Sequence, residues 1–182
     1  MKYDSRKYVD LIRKAEGKWA NWDPPIPRPE VGDYGTVNRE TGAFEKEGSI
    51  YDATFAQFIP NLKETYPPQE ATEVHDIIIK SGDARQFDLT VGPEIEIPGI
   101  AEASIKGKWS FPTERGAVLI MVKARLSFLP PNLPLKQFVK VPELAGMCLV
   151  TEVVRTPSYA MYLSSKGKPP LFVNDGTEAI FT

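Results

Sequence analysis

Residues 101–111 read A-E-A-S-I-K-G-K-W-S-F and residues 118–128 read V-L-I-M-V-K-A-R-L-S-F. In the first run Ala101, Ala103, Ile105, Trp109 and Phe111 hold the odd positions with Gly107. Glu102, Ser104, Lys106, Lys108 and Ser110 hold the even ones. In the second run the even positions Val118, Ile120, Val122, Ala124, Leu126 and Phe128 are apolar, and Lys123, Arg125 and Ser127 take the other face. Side chains alternate across a strand, so each run makes one oily and one wet face. Between them P-T-E-R-G at 112–116 supplies turn residues. The pattern predicts one long amphipathic β-hairpin. Each arm has the roughly 9–11 residues that a membrane-crossing strand needs. Such a hairpin can cover a soluble core or insert as part of a β-barrel pore.

Outward from this hairpin, the rest of the chain reads as one domain. Its length is 182 residues, with 42% hydrophobic and 25% charged, ordinary for a globular protein. A formal net charge of -2 exerts no global pull on nucleic acid or anionic lipid. Cys148 is the single cysteine, so no intrachain disulfide can form, which points to a reducing, intracellular setting. No secretion signal is evident at the charged start M-K-Y-D-S-R-K, and no apolar run approaches about 18 residues. Any approach to a membrane would come from the aqueous side.

Residues 4–19 predict a helix with Tyr8, Leu11, Ile12, Ala15 and Trp19 on one face and Gly17 weakening the last turn. Arg6, Lys7, Arg13, Lys14 and Lys18 make this segment locally basic. The face reads either as the solvated side of a helix docked on a sheet or as a surface for anionic phospholipid headgroups. Residues 31–37 and 43–51 predict a small hairpin, and 74–80 and 85–91 predict strands. Partial helix is expected over 135–144, interrupted at Pro142. Residues 147–156 read as a strand, with 158–163 placed to pair back on it.

Motifs of an enzyme are missing. His75 is the sole histidine, G-x-S-x-G and phosphate-loop patterns do not occur, and one His with one Cys cannot make a zinc site. The expectation is a non-enzymatic chain with no cofactor or metal, and with Cys148 buried as a small hydrophobe.

The order of parts resembles the N-terminal pore-forming domain of gasdermins, and in particular the short gasdermin-like cell-death proteins of fungi. The resemblance rests on the basic first helix, V-G-D-Y-G-T-V at 31–37, G-A-F-E-K-E-G-S-I-Y-D at 42–52, the long hairpin, and C-L-V-T-E-V-V-R-T at 148–156. It implies an α+β fold, a twisted antiparallel sheet with long amphipathic hairpins and a basic N-terminal helix. It further implies that Arg6, Lys7, Arg13, Lys14 and Lys18 bind acidic phospholipids. Ala103, Ile105, Trp109, Phe111, Val118, Ile120, Val122 and Leu126 would enter the membrane. Related subunits would assemble as homo- or hetero-oligomers, moving from the cytoplasm to the membrane to cause regulated cell death. Residues 1–182 would form a single such domain. The return strand of a second inserting hairpin, beginning at 149–155, would fall beyond Thr182, so the chain reads as a truncated or a reduced relative. The other reading is a soluble interaction module or truncated regulator that binds a longer homologue without opening a pore.

Overall fold

A computed structural model describes residues 2–20, 27–81, 85–87, 108–110, 116–165 and 168–173. The chain runs from helix α1 (Lys2–Glu16) through β1 (Asp33–Val37), β2 (Phe44–Ser49) and a 3-10 turn (Ala53–Gln57) to α2 (Leu62–Thr65). Then come β3 (Gln69–Glu70), β4 (His75–Lys80), β5 (Arg85–Phe87), β6 (Lys108–Ser110) and β7 (Gly116–Phe128). After α3 (Leu135–Phe138) and a second 3-10 turn (Pro142–Leu144) come β8 (Cys148–Leu149), β9 (Glu152–Arg155), β10 (Ser158–Ser165) and β11 (Lys168–Val173). The described strand pairs are all antiparallel, and the class is α+β.

Strand β7 is the spine. Along one edge it pairs with β10 (Ser158 opposite Val122) and then with β9 (Arg155 opposite Arg125). Along the other it pairs with β4 (Ile78 opposite Ile120) and then with β3 (Glu70 opposite Ser127). Even its start is closed, because Ser81 Oγ accepts the Ala117 N–H at 3.0 Å and the Ser81 N–H donates to the Ala117 carbonyl at 2.9 Å. A strand has only two edges, and these four partners occupy both. The expected hairpin is therefore not the pairing found. Its described residues Lys108–Ser110 pair instead with Arg85–Phe87. Residues 101–107 and 111 lie outside the described residues.

A second correction concerns phase. Lys123 has φ 53, in the left-handed region, and the register against β4 slips between His75 and Ile77. This is a β-bulge, and one extra residue reverses which side chains face which side. Ala117, Leu119 and Met121 therefore lie in the same cluster as Ala124 and Leu126, not opposite to it. Val118 and Ile120 are also buried, on the other face. The first half of β7 is thus apolar on both sides rather than amphipathic.

The helix-side core gathers Tyr8, Ile12, Ala20, Ile79, Leu119, Met121, Tyr159 and Met161 between α1 and the large sheet. Helix α1 stops where Gly17 turns left-handed (φ 71) and its N–H bonds the Arg13 carbonyl at 2.7 Å. A Cβ there would be strained, so Gly17 ends the helix rather than weakening its last turn. Trp19 thus lies past the helix, and Ala15 is exposed rather than on the buried face.

The second core lies under the small sheet β2-β1-β8. It joins Phe44, Ile50, Phe55, Leu62, Phe138, Val141, Val150 and Val153. Pro142 opens the second 3-10 turn instead of breaking a longer helix, as its fixed φ and missing N–H allow at a first position. Residues 147–156 are not one strand. Leu149 pairs with Tyr34 in the small sheet, whereas Glu152–Arg155 pairs with β7. Adjacent Val153 and Val154 point to opposite sides and enter different cores. Strands β9 and β10 follow one another along β7 and do not pair with each other.

Candidate functional site

The outer side of α1 is the candidate. Tyr8 and Ile12 are fully buried and fix the helix on the sheet, and Val9 is buried where a Cβ on Gly42 would lie 3.1 Å away. With that side fixed, Lys7 and Lys14 share one outward stripe at i, i+7, and Arg6 and Arg13 share the next.

The proposed lipid ligands divide by what already holds them. Arg6 grips Asp10 with two nitrogens, at 3.0 and 2.9 Å, and reaches the Asn38 carbonyl at 3.4 Å. Lys18 is ion-paired and hydrogen-bonded to Glu152 on β9. Lys7 stands 3.9 Å from Asp4, a loose pair with a well exposed ammonium. The Arg13 guanidinium lies 4.2 Å from the centroid of the Trp19 ring, a cation–π contact that leaves its charge uncancelled. Lys14 is exposed and has no ion-pair partner among the described residues. The geometry thus narrows the set: Lys7, Arg13 and Lys14 can meet an anionic surface as they stand, whereas Arg6 and Lys18 would first exchange a carboxylate. Arg13 and Lys14 also sit in the last turn, where cations suit the helix dipole.

The proposed inserting residues are not brought together on one face. Val118 and Ile120 are buried in the central strand, and Val122 is half-buried on the same side. Leu126 packs toward α1, on the opposite side. Trp109 pairs through its backbone with Gln86. Ala103, Ile105 and Phe111 lie outside the described residues.

Burial raises the Tyr8 phenol well above its ordinary value of 10.0, with Tyr159 beside it adding to the shift. Burial likewise raises Tyr51 and Tyr162. Tyr51 donates its hydroxyl to the Tyr66 carbonyl at 2.9 Å. Cys148 is exposed, against the expectation of burial, since β8 is a two-residue strand on the rim of the small sheet. His75 is exposed, and no group of His, Cys, Asp and Glu among the described residues could hold a metal ion.

One feature escaped the sequence reading. Val139 is 87% and Leu135 46% exposed, on one side of the turn whose Phe138 is driven into the second core. Exposed Lys136 and Lys140 flank them. Nothing in the sequence warned of this: Leu135, Phe138 and Val139 stand at i, i+3 and i+4, the spacing of one buried helical face, yet α3 is a four-residue turn that buries only Phe138.

Among the described residues no helix is long and apolar enough to cross a membrane; this leaves a β-strand route untouched. No protein-family model, curated protein or solved structure matches the chain.

Proposed function

We propose that this chain is a membrane-permeabilising protein of the gasdermin kind, which binds acidic lipid through α1, self-associates, and inserts strands to cause regulated cell death. It would work from the cytoplasm, moving to the membrane on activation. The observation that carries this reading is the placement of α1. Its inner side covers Leu119 and Met121 of β7, while Lys7, Arg13 and Lys14 point outward. A lipid surface that draws the helix away would uncover one side of β7, whose first half is apolar on both faces. Each cation near an anionic surface contributes about 1 kcal/mol. The Leu135–Val139 knuckle with Lys136 and Lys140 has the composition of a second interfacial contact.

A second reading, a soluble regulator that binds a longer homologue, draws on a different observation. Both edges of β7 are occupied, so no free edge of it is offered to lipid or to a neighbour.

Dye leakage and co-sedimentation with vesicles, with and without cardiolipin or phosphatidylserine, separate the two. Leakage requiring anionic lipid, lost when Lys7, Arg13 and Lys14 are together changed to Glu, supports the pore. Binding without leakage favours the regulator. Absence of binding sinks the membrane reading.

A further inference from the structure

The bulge at Lys123 sits at a corner shared by three strands. Asp76 Oδ1 of β4 accepts the Lys123 N–H at 2.9 Å. From the other edge the buried Thr156 hydroxyl reaches the Val122 carbonyl and accepts the Ser158 N–H at 3.3 Å. So two side chains, rather than two strands, satisfy consecutive backbone groups of β7. Lys123 itself is left-handed without being Gly, Asn or Asp, a conformation that lysine adopts only when its surroundings impose it.

The sequence of β7 tolerates another arrangement. Beyond the bulge the faces are fixed, since Ala124, Leu126 and Phe128 oppose Arg125 and Ser127. Before it they are not. Ala117, Leu119 and Met121 are as apolar as Val118, Ile120 and Val122, and both sets are buried or half-buried here. Register is weakly specified when both sides of a segment are equivalent. In the folded chain the odd set is in phase with Ala124 and Leu126. Without the extra residue the even set would be.

We propose that β7 is a two-register strand. Asp76 and Thr156 hold the bulged register in the folded chain, and release of the bulge turns residues 117–122 over, aligning Val118, Ile120 and Val122 with Ala124, Leu126 and Phe128. The proposal rests on the membrane reading only for its trigger. In lipid every backbone group must be paired inside the protein, and a carboxylate capping a bulge is costly to bury there. A regular strand satisfies the same N–H with a neighbouring carbonyl.

The test is a cysteine scan over residues 118–128 in the full chain, with the native Cys148 changed to serine and each thiol carrying an environment-sensitive dye. Vesicles of phosphatidylcholine and phosphatidylserine are added. The expected result is unbroken alternation in the bound state, with 118, 120, 122, 124, 126 and 128 in the apolar phase. A phase jump retained at 123 in the bound state overturns the proposal. Lys123→Gly, which removes the left-handed cost and favours the bulge, is expected to slow the dye change about fivefold to tenfold. Co-sedimentation is read separately: absence of binding removes the membrane function but leaves the registers testable in solution. There Asp76→Ala is expected to speed amide exchange over 117–122 about tenfold with no change in β1 and β2. Exchange altered only at Lys123 overturns the two-register strand whatever the vesicles do.

Discussion

The two cores are built by opposite strategies. The helix-side core rests long strands against one helix, with Tyr8 and Ile12 as its inward anchors. The core under the small sheet is assembled from short, dispersed segments around Phe55, whose ring lies 5.8 Å from Phe138, 5.3 Å from Phe58 and 5.9 Å from Tyr34. No single element can leave the second core without exposing several others. The first is covered by a single element, α1. If that cover opens alone, the domain divides between what stays folded and what moves.

The largest expected effect breaks that comparison at its rigid end. Phe138→Ala removes a ring that is 4% exposed and packs against Phe55 at the centre of the aromatic cluster. It is expected to cost about 3–5 kcal/mol, a large share of the roughly 5–15 kcal/mol that holds a domain folded. Chemical denaturation is expected to show one transition shifted as a whole. Ile12→Ala, with a cost of about 2–4 kcal/mol, is expected to act differently. Amide exchange in α1 and over β7 should rise while β1 and β2 stay protected. Equal loss of protection in both regions would mean that α1 is no cover but an integral part of one core.

Next comes Gly35, which sits opposite the bulge that Glu47 makes in β2. A Cβ there would fall 2.0 Å from the Glu45 carbonyl oxygen, a backbone atom of the paired strand. Since that atom cannot swing aside, Gly35→Ala is expected to cost about 1–3 kcal/mol and to lower the thermal midpoint. The loss should be confined to exchange in β1, β2 and β8. Spread into α1 would show that the small sheet and the helix unfold together.

Much of this architecture was legible. Helix α1, the first small hairpin and β4 follow from period and turn residues, because each obeys one local rule along its length. The motif V-G-D-Y-G-T-V also has a structural reason. Asp33 is buried, accepts the Glu30 N–H at 2.8 Å and meets Lys46 at 2.9 Å, and Gly35 admits the neighbouring backbone. What failed was longer in range. Alternation names a strand but not its partner, so residues 101–111 and 118–128 looked like a pair although β4 and β10 occupy the edges of β7. A bulge leaves no mark in a stretch apolar on both sides, so the reversal at Lys123 was invisible. Leu149, Val150, Val153 and Val154 read as one strand because nothing in their composition says that the chain changes sheets between them. At the candidate site the cations were legible, and so was Asp10, four residues on from Arg6; Glu152 and Trp19, which engage Lys18 and Arg13, were not, because one is remote in sequence and the other lies past the helix end.

Alkaline titration sharpens the helix-side core. Burial raises the folded Tyr8 above 10.0, so below that pH both folded and unfolded chains keep its proton and stability is level in this term. Above it the unfolded phenol ionises first, and stability is expected to fall by up to about 1.4 kcal/mol per pH unit until the folded group also titrates. Tyr8→Phe should flatten that limb. A smaller slope will remain from Tyr51 and Tyr162, which are shifted in the same direction. An unchanged limb in Tyr8→Phe would mean that Tyr8 is open to water, and the helix with it.

The smallest expected effect is at the hinge of the cover. Lys18 follows the end of α1 and pairs with Glu152 on β9, with side chains 40% and 41% exposed. Solvent and salt screen a pair of this kind, so Lys18→Met is expected to cost only about 0.2–1 kcal/mol, within reach of a careful thermal midpoint comparison. Its value lies in where the loss appears. Glu152 begins the strand that sends Val153 to one core and Val154 to the other, so this pair ties the exit of α1 to the joint between them. If α1 opens as a unit, exchange in the helix should rise in Lys18→Met and converge with the native chain at high salt, where the native pair is also screened. A uniform change across both cores, insensitive to salt, would place the loss in packing of the lysine stem and leave the helix without a polar latch at this end.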